Sequence, residues 1–308
     1  MSVVVPVYNS EGSLRPLVER LEPVLRAIAT DFELILVNDG SRDGSWTVVA
    51  DLAAQKPWIQ GFDLMRNYGQ HNALLCGIRA ARHGHVVTLD DDLQHPPEEI
   101  PKLLAELARG FDVVYGTPAQ ESHGLFRDLA SQVTKLALQK SMGAATARRV
   151  SAFRAFRTDV RDAFVDYRNQ YVSIDVLLTW GTTRFSSVVV RHDPRTIGQS
   201  NYTLRKLMTH ALNMVTGFST APLQLASIVG FVCTLLGVAI LVYVLWTKIV
   251  HGSPVEGFTF LASMVALFSG AQLFALGVLG EYLARMHFRM MDRPTYAVRG
   301  SASEREAR

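Results

Sequence analysis

Cysteine is nearly absent from this sequence: Cys76 and Cys233 are the two present among 308 residues. That excludes a disulfide framework and any paired-cysteine zinc spacing, and it fits a reducing compartment. An excess of one charge is also lacking. Lys and Arg number 31 against 28 Asp and Glu, a formal net charge of +3. No basic stripe interleaved with aromatics occurs, so nucleic acid is not an expected partner. There is no internal repeat and no low-complexity tract. The opening residues, Met-Ser-Val-Val-Val-Pro, already read as a strand. No charged segment followed by an apolar core is visible there, so no secretory leader is expected.

Apolar residues are plentiful. They make up 48% of the chain against 19% charged, and the mean hydropathy is +0.14. The excess is concentrated after residue 220, which points to a soluble part followed by a membrane part. The length fits about two domains.

Up to Tyr115 the pattern alternates. Ser2 to Val7, Phe32 to Val37, Gln60 to Met65, Val86 to Leu89 and Phe111 to Tyr115 are short β-rich runs. Between them lie helical patterns. The clearest carries Leu14, Leu17, Val18, Leu21, Val24, Leu25 and Ile28 at helix-face spacing. Strands alternating with helices over short loops imply a parallel sheet wound by right-handed crossovers. Further on, Phe126 to Met142 reads as a helix, Val150 to Arg157 as a strand, Tyr171 to Trp180 as a helix and Phe185 to Arg191 as a strand. His192 to Asn201 is a polar, basic loop.

The most informative stretch is Val86 to Pro97. An apolar run stops at Asp90, Asp91 and Asp92, and Leu93-Gln94-His95-Pro96-Pro97 follows at once. Early proline followed by acids marks a helix start. The three carboxylates then sit at the C-terminal edge of a strand, where ligands bind in open α/β sheets. Asp90, Asp92 and Gln94 are spaced by two, which in extended backbone turns their oxygens one way. Hard divalent cations take such donors, and Mg²⁺ commonly uses one or two carboxylates plus substrate phosphates. The alternative is a solvated acidic turn capping the next helix. The loops Asn38-Asp39-Gly40-Ser41 and Arg66-Asn67 would share the same edge, which favours a site.

After Tyr202 the pattern changes. Leu204, Leu207, Met208, Ala211, Leu212, Val215 and Phe218 share one helical face, as in a helix lying in a membrane interface. Leu223 to Trp246 is an uncharged run of 24 residues and Phe258 to Gly280 one of 23. Each is long enough to cross the ~30 Å hydrocarbon core. Both outer flanks are basic, with Arg205 and Lys206 before and Arg285, Arg289 and Arg293 after. The positive-inside rule puts both flanks in the cytoplasm. The expected organisation is therefore a cytoplasmic catalytic domain over 1–201, an interface helix over 202–219, a two-helix transmembrane hairpin over 220–284 and a basic cytoplasmic tail over 285–308. The protein would reside in the cytoplasmic (plasma) membrane as a multi-pass protein.

Together, Val-Val-Val-Pro-Val-Tyr-Asn, Asn38-Asp39-Gly40-Ser41, Arg66-Asn67-Tyr68-Gly69 and Asp90 to Glu98 resemble family 2 glycosyltransferases of the GT-A fold, a Rossmann-like, mostly parallel α/β domain. More narrowly, they are similar to the polyprenyl-phosphate glycosyltransferases, of dolichyl-phosphate mannose synthase and bactoprenol glucosyltransferase types. Phe218 to Leu223, Leu279 to Arg285 and Arg293-Pro294-Thr295-Tyr296 match the two-span anchors of that group. The resemblance covers nearly the whole chain.

The resemblance implies an inverting transfer of a sugar from a UDP- or GDP-linked donor to a polyprenyl phosphate, giving a lipid-linked monosaccharide for cell-envelope glycan. It implies that Asp90, Asp92 and Gln94 hold Mg²⁺ or Mn²⁺ against the diphosphate. Asp39 would contact the nucleoside, and Asp91 would shape the nucleotide site while tolerating change best of the three. Pro6, Tyr8 and Glu11 match positions lining the base pocket. Arg127 and Ser131 match an Arg-x-x-x-Ser pair facing the acceptor phosphate, with Arg195 behind them. Asp92, Arg127 and Arg154 are the expected catalytic residues. A homo-oligomer and a partner that flips the product are left open.

The sequence departs from the family in places. Gly116-Thr117-Pro118 lacks the arginine of Gly-x-Arg, and Ala152 stands where Gly-Asp-Phe-Arg has its aspartate. Two rival readings follow. A processive polysaccharide synthase would carry Gln-x-x-Arg-Trp after the Asp-x-Asp, and this chain has none. A degenerate, non-catalytic membrane adaptor is supported by Pro118 and Ala152 and opposed by Asp39, Asp90, Asp92, Gln94 and Arg127.

Overall fold

The structure is a computed structural model describing residues 1–118, 150–169, 172–193, 221–251, 258–291 and 293–303. The chain divides into two compact units, Met1–Ala211 with Asp292–Arg308, and Leu212–Met291.

The first unit is built on β1 (Ser2–Val7), α1 (Leu14–Ile28), β2 (Glu33–Asn38), α2 (Ser45–Gln55), β3 (Ile59–Leu64), α3 (Gln70–Ala80) and β4 (His85–Thr88). A 3₁₀ turn (Pro97–Glu99) leads into α4 (Ile100–Ala108), then β5 (Val113–Pro118) and β6 (Arg154–Arg157). Next come α5 (Ile174–Gly181), β7 (Phe185–Val190) and, from the far end of the chain, β8 (Val298–Ala302). One sheet runs in the order β7-β5-β6-β4-β1-β2-β3-β8. The pairs β4–β1, β1–β2, β2–β3 and β5–β7 are parallel, while β6 and β8 run antiparallel to their neighbours.

Every residue of β1 and β2 is buried, as central strands covered on both faces require. Side chains alternate between the faces. Val3, Val5, Leu34, Leu36 and Val87 share a core with α1, α2 and α4, to which α1 gives Leu14, Leu17, Val18, Leu21 and Leu25. On the other face α3 lies almost on the sheet. A Cβ on Gly77 would stand 2.4 Å from Val4 Cγ1 and 3.2 Å from Val37 Cγ2.

Two features differ from the sequence expectation. The strand expected over Val150 to Arg157 is limited to Arg154–Arg157, because the residues before it turn: the Phe153 N–H donates to Ser151 Oγ at 3.2 Å. The last segment is also not a free basic tail from residue 285. Helix continues to Met290, and Val298–Ala302 pairs with β3 as a new edge strand. Val-Arg-Gly-Ser-Ala has no apolar alternation to announce it. Backbone hydrogen bonds hold it, and Ala302 alone of its residues packs against the core cluster. The helices expected over 126–142 and 202–219 lie outside the described residues.

In the second unit, α6 (Ala221–His251) and α7 (Phe258–Met290) are long and apolar. The windows Leu223–Val250 and Leu267–His287 are long and apolar enough to cross a membrane, and their side chains are exposed rather than packed as in a soluble core. The helices meet where Gly237 faces Phe268, 3.2 Å from a Cβ built at that glycine. The hydroxyls of Ser227, Thr234 and Thr247 donate back to the carbonyls of Leu223, Gly230 and Tyr243 at 2.9–3.0 Å. That leaves no hydroxyl of these three unsatisfied in an apolar medium.

A buried polar cluster joins β5, β6 and α5. Arg154, 2% exposed, pairs through Nη1 with Asp175 Oδ1, and Tyr115 Oη donates to the same oxygen at 3.0 Å. Removing either member of the ion pair strands a buried charge. Arg154→Met should cost about 3–5 kcal/mol, read as a lowered unfolding midpoint in detergent. Arg154→Met with Asp175→Leu should recover most of it, and a single variant as stable as wild type would contradict this account.

Candidate active site

Because β1 to β4 are parallel, their C-terminal ends open on one edge of the sheet. A pocket of about 190 Å³ lies there. It is lined by Pro6, Val7 and Tyr8 from the end of β1, Asp39 after β2, Asn67, Gly69 and Gln70 after β3, and Asp90, Asp91 and Asp92 after β4.

Asp39 closes one end. Its Oδ1 accepts from Tyr68 N at 2.7 Å and its Oδ2 from Gly69 N at 2.8 Å. Burial raises its pKa, opposed by these two bonds and by Arg66. The β2 and β3 loops also touch directly. Gly40 has φ +64°, and a Cβ there would lie 2.5 Å from Arg66 C and 2.6 Å from Asn67 N. Only glycine fits that close approach in a left-handed conformation. The Arg66 guanidinium lies 4.4 Å from the centre of the Tyr68 ring.

The acidic loop forms the other end. Gln70 Nε2 donates to Asp90 Oδ1 at 2.6 Å. Asp92 Oδ1 accepts from Gln94 N at 3.1 Å, and Leu93 between them has φ +61°. A branched apolar residue rarely takes that conformation, which suits a loop shaped for function. Asp91 turns inward. Its Oδ2 is buried without a partner, and burial pushes its pKa up to about 6 against the pull of the Ser10 hydroxyl and Tyr8 N–H. Beside this loop, His95 is buried against Phe153 and His192, with ring centres 5.4 and 5.1 Å away. Burial, then His192, holds its pKa down at about 4.

Among the described residues, no three or more His, Cys, Asp and Glu side chains are grouped to enclose a metal by themselves. Asp90 and Asp92 nevertheless offer hard oxygen donors to the pocket, and the buried, unpartnered Asp91 Oδ2 adds negative potential there. This donor set fits a Mg²⁺- or Mn²⁺-type ion that completes its shell with phosphate oxygens.

Pro6, Tyr8, Asp39, Asp90, Asp91 and Asp92 thus come together as expected. Others do not. Glu11 is not in the pocket lining; its Oε2 accepts from Gly44 N at 3.0 Å and ties the β1 loop to the start of α2. Gln94 is absent from the lining too, and its backbone serves Asp92. Arg154, expected to be catalytic, is committed to Asp175 in the core, since a buried guanidinium needs its counter-charge. Arg127, Ser131 and Arg195 lie outside the described residues. Asn67 and Gly69 stand in the sequence only as parts of a loop and a motif at this edge, and Gln70 is not singled out; none is given a role there. Their signal is the polar loop after β3, which shares the edge with the other two.

The family model described as "Glycosyl transferase family 2" matches residues 2–164, and the chain belongs to this family. An undecaprenyl-phosphate 4-deoxy-4-formamido-L-arabinose transferase of Pseudomonas fluorescens (strain SBW25) is 35% identical over 301 residues, covering 97% of this chain and 88% of that one. The protein of the same name from Pseudomonas paraeruginosa (strain DSM 24068 / PA7) is 36% identical, covering 97% and 89%. Among solved structures, glucosyl-3-phosphoglycerate synthase from Mycobacterium tuberculosis, in complex with Mn²⁺ and UDP-glucose, superposes with a TM-score of 0.50 at 18% identity, covering 70% and 76% of the two chains. Mannosyl-3-phosphoglycerate synthase from Rubrobacter xylanophilus gives 0.50 at 17%, covering 70% and 71%. These likenesses show a shared fold.

The carboxyl of Asp91 yields a pH prediction. A raised native pKa means the fold holds the proton more tightly than the unfolded chain. The stabilisation is complete below the ordinary aspartate value and is lost as pH rises through about 6. Without metal or nucleotide, the wild type should lose unfolding temperature between about pH 4 and pH 6.5 relative to Asp91→Asn. Parallel pH profiles would contradict the buried setting. That setting also argues against Asp91 being the most replaceable of the three.

Proposed function

We propose that this protein is a membrane-bound inverting glycosyltransferase that moves a sugar from a nucleotide diphosphate to a polyprenyl phosphate. The observation that carries the proposal is the pocket itself: Asp39 at one end and Asp90 with Asp92 at the other, on a chain with two membrane-length helices. The names of the relatives, which match over nearly their full length, support the lipid acceptor.

In this reading Asp39, Pro6 and Tyr8 bind the nucleoside, and Asp91 shapes the floor between nucleoside and diphosphate. Asp90 and Asp92 hold Mg²⁺ or Mn²⁺. Such an ion would neutralise charge on the departing diphosphate. The nucleophile is an oxygen of the acceptor phosphate, already largely ionised because its second pKa is ~6. It forms a bond to the anomeric carbon as the bond to the diphosphate oxygen breaks on the opposite face, which inverts the configuration. No proton has to be removed from the nucleophile, so Ala152 in place of an aspartate is compatible with turnover. An anion approaching another anion needs arginine beside it, and Arg127 and Arg195, with Ser131, are proposed for that part. The basic flanks of the two apolar helices support a cytoplasmic side of the plasma membrane for the pocket and the residues after the second helix.

Incubating the purified protein with undecaprenyl phosphate and labelled nucleotide sugars, both UDP- and GDP-linked and including nucleotide-linked 4-deoxy-4-formamido-L-arabinose, tests the proposal. A lipid-linked monosaccharide is expected, abolished by EDTA and by Asp92→Ala. A long polymer, no product with any donor, or full activity of Asp92→Ala in EDTA would contradict it.

A further inference from the structure

The chain's last described strand reaches the pocket indirectly. β8 pairs Gly300 with Asp63 and Val298 with Leu64, leaving Arg299 as an extra residue without a cross-strand partner. Bulges of this kind re-aim a side chain and are common beside functional sites. Here the Arg299 guanidinium turns onto the end of β3. Its Nη2 donates to Met65 O at 2.9 Å, and its Nη1 stands 3.5 Å from Asp63 Oδ2. Asp63 is 4% exposed. Its other oxygen accepts from Asn38 Nδ2 at 2.7 Å, and Asn38 immediately precedes Asp39.

Met65 therefore has both backbone groups engaged by the C-terminal segment, since its N–H donates to Ala297 O at 2.9 Å. The three residues after it lead to Gly69, and Tyr68 and Gly69 supply the two N–H donors that Asp39 requires. The same segment also grips α3, which begins at the pocket with Gln70. Arg79 Nη1 donates to Thr295 Oγ1 at 3.4 Å, and its guanidinium lies 5.6 Å from the centre of the Tyr296 ring. The loop carrying Asn67 and Gly69 is thus flanked by two elements, β3 and α3, and residues 295–302 bind both.

We infer that residues 295–302 form a clasp that positions the nucleotide half of the pocket, with Arg299 as its positioning residue. The inference rests on the reading of the pocket as a nucleotide site. A strand that merely covered the sheet edge would need neither the bulge nor an arginine reaching a buried carboxylate that is bonded to the residue before Asp39. The planar guanidinium serves Asp63 and the Met65 carbonyl together, which a lysine ammonium does less well.

The test uses the full chain in detergent, with Arg299→Ala and Arg299→Lys beside wild type. Calorimetric titration with UDP and with GDP in Mn²⁺ reads affinity, and hydrogen exchange reads the amides of residues 66–70 against those of β1. Arg299→Ala should bind the nucleotide about tenfold more weakly, the size of one lost charged hydrogen bond. Arg299→Lys should fall between. Exchange should quicken at 66–70 while β1 stays protected, and in a transfer assay the donor KM should rise with the acceptor KM unchanged. Wild-type affinity in Arg299→Ala, or a rise in exchange spread evenly over the domain, would overturn the inference while leaving the nucleotide site standing. A wild type that binds neither nucleotide would overturn both.

Discussion

The site depends on one carboxylate. Asp39 gives each of its oxygens to a backbone N–H of the neighbouring loop, at 2.7 and 2.8 Å. Charged acceptors on backbone donors are among the stronger hydrogen bonds in proteins, and here two of them fix the β3 loop to the β2 loop. The contact also explains Gly40, which must lack a side chain for the Arg66–Asn67 peptide to come so close. Once these loops are joined, Asn67, Gly69 and Gln70 have defined places, and Gln70 can reach Asp90. The Asp39 end and the acidic end of the pocket are therefore coupled through one short segment of chain.

Much of this was legible from residues. Apolar runs broken by helical periods announced the parallel strands, because buried parallel strands must be apolar on both faces. The three chemically unusual loops had to share an edge once the strands were parallel, and Asp39, Asp90 and Asp92 followed. Other features were not legible, for physical reasons. Whether Arg154 faces a ligand or a core depends on Asp175, 21 residues away and joined to it only by the fold. Glu11 stands near the pocket in sequence, but Gly44 N claims its carboxylate. β8 is held by its backbone, which leaves no mark on its composition, and its partner strand lies more than 200 residues earlier.

A pocket for a polar, charged donor and helices suited to hydrocarbon place opposite demands on one chain. The first unit meets its own by burying apolar residues on both faces of a sheet and gathering Asp39, Asp90, Asp91 and Asp92 at one edge. The second bonds the hydroxyls of Ser227, Thr234 and Thr247 back to its own helix and exposes apolar side chains, as a lipid surround demands. A lipid phosphate is an acceptor for which both are useful: its charged head suits the chemistry of the sheet edge, and its tail suits the helices. In the proposed reaction an ionised phosphate needs no base, so the residues that matter most there are those that offset charge.

In the proposed function Asp90 and Asp92 hold a divalent cation against a diphosphate at this edge. Anomalous diffraction from crystals grown with Mn²⁺ and the bound nucleotide tests it most directly. A single strong peak is expected within ligand distance of Asp90 and Asp92, with the nucleoside extending toward Asp39. A nucleotide in the pocket with no metal at these carboxylates, or a metal held elsewhere, would contradict it.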